Sequence, residues 1–284
     1  MKKTGIEAAI TLILMAGIPV FIKFTIANPL TIGIFRLSVA TLLMFVFFRP
    51  DKHLGSVRKS MFFPLISIGI LFAMHWLTYF WSIKLATASI GILGMSTYGI
   101  HLIFLGWVFR KEKPGLFDFL ALIIAVFGTY FIVPEFSFSN QVTIGIMLGI
   151  LSGFCFALLP ILHQQHQGIH ERIRIFSQFT FALIVFLFFI PWADWELQTV
   201  DWWSLMYLAV PGTFIAHSLW VRVTTRLSTI ISSLIFYLIV PMTMVISHFW
   251  LSEPMPIEKV VGALLIVLGN VISFYGRLKK RSIS

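Results

Sequence analysis

A small set of side chains able to do chemistry stands inside stretches that are otherwise apolar. Trp76 and Tyr79 are three residues apart, as are Tyr98 and His101, and His217 and Trp220. Residues at that spacing share a helix face, so each pair forms a short aromatic or imidazole stripe. Tyr237 adds a further ring one turn before Pro241, and Arg36 and Lys23 add cations. Aromatic faces stack on apolar rings or hold cations. Guanidinium and ammonium groups meet carboxylates, and an imidazole titrates near neutral pH. A polar side chain in hydrocarbon is costly and as a rule faces a cavity or a partner. Together these residues read as the lining of a site for a small metabolite: Trp76, Tyr79, Tyr98, His101, His217, Trp220, Tyr237, Arg36 and Lys23. His101 and His217 are the groups that could couple to protons. Trp76→Ala would then cost stacking contact and spare folding. Packed aromatics and a snorkelling Lys23 are the plainer reading. Trp192, Trp195, Trp202 and Trp203 fit an outer aromatic belt and receive no site.

Other chemistries find less support. Glu7, Asp118 and Glu171 fall at helix starts, where the macrodipole favours them, and no carboxylate falls mid-segment. An intramembrane enzyme would need a nucleophile–base pair or a metal cluster at depth, and only isolated histidines are found. No catalytic residues and no cofactor are therefore assigned. His163, His166 and His170 have helix-like spacing, but Gly168 interrupts them. They read as a solvated cytoplasmic loop, without a metal. Nothing resembles the Gly-x-x-x-x-Gly-Lys phosphate cradle, so ATP bound to this chain would not drive it. Cys155 is the single cysteine and can form no intramolecular disulfide.

The elements that position these residues are membrane helices. Hydrophobic residues make up 58% of the 284 and charged residues 11%, against roughly 25% charged in a soluble domain. Ten apolar segments have lengths near the roughly 20 residues that span hydrocarbon: 6–26, 30–48, 61–84, 86–109, 115–133, 142–162, 171–191, 202–223, 227–251 and 257–276. Nothing alternates as a membrane β-barrel requires. The Met-Lys-Lys start resembles a signal peptide, but the apolar run after it is too long and is kept as the first helix.

The chain reads as one unit written twice. A shift of 141 residues sets Pro19 on Pro160, Ala86-Thr87 on Leu227-Ser228, Glu112 on Glu253 and Gly128 on Gly269. It also sets Trp76 on His217 and Tyr79 on Trp220. The expected domains are 1–141 and 142–284. Five segments per half is an odd number, so the second half would enter the membrane inverted, around a central cavity near the midplane. Lys and Arg agree. With cytoplasmic termini, 17 of the 21 fall on inside segments, as orientation by positive charge demands. Glu135, Asp194, Glu196, Asp201, Glu253 and Glu258 fall outside. The net charge of +10 is thus a topology signal, and no nucleic acid is expected. Gly145, Gly149 and Gly153 would let helices pack closely, as would Gly262, Gly269 and Gly276. Pro19, Pro160 and Pro241 would kink theirs.

Five plus five helices, Gly17-x-x-Val20-x-x-Lys23, Arg36 in the second segment and a Glu closing the fourth and ninth resemble the EamA-type branch of the drug/metabolite transporter superfamily. The resemblance covers essentially the whole chain. It implies a basket-like bundle with a cavity among helices 1–4 and 6–9, and helices 5 and 10 at the periphery. It also implies transport of amino acids, nucleotide-like metabolites, amines or sugars, many by export. The expectation is a multi-pass secondary transporter of the bacterial-type inner membrane, working by alternating access. Its first expected substrate is an amino acid or related zwitterion or amphiphile. A nucleotide-like or quaternary-amine metabolite, or a non-transport membrane assembly subunit, is the alternative.

Overall fold

The computed structural model describes residues 2–55, 57–132 and 140–281, and all of their regular structure is helical. Glu135 lies outside the described residues. The long elements are α1 (Lys2–Phe24), α2 (Pro29–Phe48), α3 (Phe62–Leu85), α4 (Ala88–Arg110), α5 (Leu116–Ile132), α6 (Gln141–Gln165), α7 (Glu171–Leu187), α8 (Thr199–Arg226), α9 (Thr229–Leu251) and α10 (Ile257–Arg281). Among the described residues, seven of them (α1–α4, α6, α8 and α9) are long and apolar enough to cross a membrane. α5 and α7 have 17 residues each. This is a multi-pass, all-helical membrane protein.

Local chemistry starts the helices where they start. Asn28 caps α2 by accepting from the backbone N–H groups of Leu30 and Thr31, and Pro29 follows at the first helical position, where its missing donor costs nothing. The Thr87 hydroxyl caps α4 through Ile90 N–H, and 141 residues later Ser228 caps α9 through Ile231 N–H. The correspondence runs on through both helices. Each is interrupted once, α4 at Thr97 and α9 at Leu238. Each ends on a left-handed residue, Lys111 at φ 56° and Ser252 at φ 54°.

α4 and α9 lie side by side, each N-terminal half against the other's C-terminal half. The glutamate after each helix reaches the start of the other. Glu253 accepts from Ala88 N–H at 2.8 Å and Ser89 N–H at 3.3 Å. Glu112 accepts from Thr229 N–H at 3.1 Å and its hydroxyl at 2.7 Å. Both carboxylates meet helix N-termini, whose free N–H groups and dipole favour an anion. α5 and α10 pack chiefly on each other.

The glycine stripe of α6 serves close packing. A Cβ on Gly149 would stand 3.0 Å from the Gly94 Cα of α4, and one on Gly153 would stand 2.9 Å from the Met95 carbonyl. α1 and α6 run on through Pro19 and Pro160, and the sharpest departure is a π-helical turn at Val210–Ile215, around Pro211 in α8. α6 also extends to Gln165, so His163 is a buried helix residue where the sequence suggested a solvated loop. Its Nε2 pairs with Gln178 Oε1 at 2.8 Å. Its carbonyl accepts from Arg174 at 2.6 Å.

Candidate binding site

Arg36 is the centre of the site. It lies on α2, wholly buried. Its Nε donates to the Thr213 hydroxyl at 2.9 Å, and Thr213 in turn donates to the Leu208 carbonyl at 2.6 Å. The π-turn around Pro211 is what frees that stretch of α8 from regular α-helical bonding and lets Thr213 meet the arginine. The guanidinium carbon lies 4.0 Å from the Trp76 ring centroid and 5.1 Å from that of Phe80. Its two terminal nitrogens, Nη1 and Nη2, are buried and have no hydrogen-bond partner. No salt bridge of Arg36 is found among the described residues. A buried cation with only aromatic faces around it is costly unless something else neutralises it.

Arg36 opens on a small cavity of about 30 Å³. Trp76, Tyr79 and Phe80 of α3, His217 of α8, Phe156 of α6 and Phe236 of α9 line it. The walls therefore come from both halves of the chain. His75, two residues before Leu77, also lines the cavity. Its Nδ1 is 2.7 Å from the Ser152 hydroxyl, and its ring stacks on Phe156 at 4.4 Å. His217 packs 5.7 Å from Trp76, and its Nδ1 has no protein partner. The aromatic lining side chains pack on one another.

The structure brings Trp76, Tyr79, His217 and Arg36 to this one cavity. Trp220 lines a second, smaller one of about 10 Å³, which shares Phe156 and His217 with the first and runs toward His163 and Thr224. Tyr98 is buried between Phe156 and Phe236, outside both linings. Tyr237 packs onto Gly99, where a Cβ would stand 2.4 Å from its ring. His101 is half-buried, edge-on to Phe154. Lys23 sits at the end of α1 and donates to the carbonyls of Ala86 at 2.5 Å and Lys84 at 3.2 Å. Lys84 returns a bond to the Thr25 carbonyl. These two cations close the C-terminal ends of α1 and α3 on each other, as the helix dipole favours. Thr213, His75, Phe80 and Phe156 were not among the residues read as a site. Pro211-Gly212-Thr213 inside an apolar segment was the available signal for the first.

The opposite end of the molecule is closed in a related way. Gln164, the residue 141 positions after Lys23, donates to the Thr224 and Leu227 carbonyls at 2.6 and 3.2 Å. Glu7 of α1 pairs with Arg226 at 3.0 Å, and Arg222 pairs with Glu171 at 2.7 Å. Outside the spans, His170 stacks on His53 at 3.7 Å. Partial burial and that neighbour hold its imidazole below the ordinary value.

The pattern of the EamA-like transporter family matches the chain twice, over residues 4–133 and 143–275. The chain belongs to the EamA-like transporter family. Its members are membrane transporters of the drug/metabolite transporter superfamily, and the two matches are the two repeats. No curated protein matches the chain. A solved crystal structure, of a protein given no further description, is similar over 100% of both chains, with a TM-score of 0.76 at 14% identity. That likeness is one of fold.

Proposed function

We propose that this EamA-family protein is a secondary transporter that exports a small carboxylate-bearing metabolite across the inner membrane by alternating access. Amino acids and their relatives are one such class, and plain organic acids are another. The observation that carries the reading is Arg36. It is buried, anchored through Nε alone, leaves two nitrogens unpartnered, and lines a cavity built from both halves. A substrate carboxylate is the partner that planar fork fits. A quaternary amine is less well served, because the Trp76 face it would use already carries Arg36.

Ten spanning helices in two inverted five-helix halves, with both termini cytoplasmic, complete the proposal. The antiparallel pairing of α4 with α9 and their matching caps support the inversion. So do the bonds that tie helix ends together at both ends of the bundle, since alternating access must break one set while keeping the other. The labelling test is direct. Glu196→Cys and Lys113→Cys, both at exposed positions, should react with an impermeant maleimide from opposite sides of intact cells. Labelling from one side would remove the inverted arrangement.

Transport itself is tested in proteoliposomes with a panel of radiolabelled carboxylates and amino acids. At least one should move in a protein-dependent way, and Arg36→Gln should lower its uptake by about tenfold or more. Coupling to protons, if present, would run through His101 or His217. His217→Gln should then change the pH profile, while Glu7→Gln leaves its shape intact. A profile flattened by Glu7→Gln alone would move the titrating group to the Glu7–Arg222–Arg226 cluster.

A further inference from the structure

The charge balance of the cavity narrows the substrate class. Arg36 is the sole formal charge among the described residues that line it. No Asp or Glu joins the lining. Glu253 is engaged at the start of α4, and Asp201 accepts from Thr25 and Ile26 beyond the end of α1. The faces of Trp76 and Phe80 nearest the site are already occupied by the guanidinium. His217 offers one unpartnered ring nitrogen beside the same tryptophan. The rest of the wall is Tyr79, His75 engaged with Ser152, and otherwise apolar side chains and aromatic rings.

A carboxylate fits this set. It would take N–H bonds from the free nitrogens of Arg36, with His217 on the same wall. An ammonium does not fit. It would be desolvated with no anion to meet, in a low-dielectric pocket that already holds a cation, where like charges repel strongly. Building on the carboxylate reading above, we propose that the site selects monoanionic organic acids with an apolar body over the corresponding amino acids. The substrate's α-carbon neighbourhood is uncharged, and the charge brought by the ligand neutralises Arg36.

The test uses the full chain in lipid nanodiscs and isothermal titration at pH 7. The ligand pairs are 3-phenylpropionate against phenylalanine, and 4-methylpentanoate against leucine, with phenethylamine and 3-phenylpropanamide added. Each acid should bind at least about tenfold more tightly than its amino acid, the amide should be weaker than the acid by a similar factor, and the amine should give no heat. Arg36→Gln should erase the preference of acid over amide. Amino acids binding as tightly as the acids, with loss on Arg36→Gln, would overturn this selectivity and leave the carboxylate site standing. Binding of neither acids nor amino acids, or acid binding unaffected by Arg36→Gln, would overturn both. The acid–amide comparison in the unaltered protein needs no variant, so a variant that fails to fold leaves the proposal open to refutation.

Discussion

Trp76→Ala is expected to abolish carboxylate binding and to lower stability in the same step. Trp76 is 1% exposed and among the largest fully buried side chains. It packs on Phe72 at 4.6 Å, Phe80 at 5.1 Å and His217 at 5.7 Å between ring centroids, and it carries the Arg36 guanidinium. Truncating a buried tryptophan costs about 3–5 kcal/mol through lost contacts and the cavity left behind. The guanidinium loses its principal face as well, which is worth about 2 kcal/mol when desolvated. From sequence alone the residue reads as a lining that folding does not need; its burial shows that lining and packing are here the same side chain. Thermal unfolding and titration of the variant check this together. Trp195→Ala, at an outer position 41% exposed, is the control and should stay within about 0.5 kcal/mol of the parent. A Trp76→Ala protein as stable as the parent would show that the bundle collapses onto the gap and that the ring is not a support.

Glu253→Ala should be the most damaging change outside the cavity. Its side chain is buried and satisfies two backbone donors at the start of α4, with the Ser247 hydroxyl as a third at 3.3 Å. Removing a cap costs about 0.5–2 kcal/mol, and each buried donor left without a partner adds about 1–3. The lost cap and those two donors are the same bonds, so the expected loss is that of the two donors, about 2–6 kcal/mol. Glu112→Ala removes the equivalent group from α9, but its side chain is 22% exposed. Water can replace it there, so the loss should be about 1 kcal/mol. Equal melting temperatures for the two variants would contradict the difference in burial.

Much of the fold was legible because the repeat is ungapped. One shift set Thr87 on Ser228 and Glu112 on Glu253, the residues that cap and close the two helices. The aromatic stripes led to the cavity for the same reason, since Trp76 and His217 are repeat equivalents that meet. Tyr98 and Tyr237 carried the same signal of ring type and depth, yet they pack between helices. Periodicity fixes a helix face but not which neighbour that face meets. Thr213 could not be found that way at all. Its place depends on a π-turn, and a one-residue slip in helical register is invisible to a pattern of apolar positions. His163 was read as loop because Gly168 follows it, but the helix ends only after Gln165, beyond the point where its ring has found Gln178.

The reciprocal caps of α4 and α9 have a consequence for the order of synthesis. Glu112 leaves the ribosome before α9 exists, so the start of that helix finds its carboxylate waiting. The converse does not hold. Ala88 and Ser89 are made 165 and 164 residues before Glu253, so those two N–H groups lack their carboxylate until nearly the whole chain has been made. A nascent chain halted anywhere before residue 253 therefore carries an unfinished first half. The first repeat is completed only when Glu253 of the second arrives.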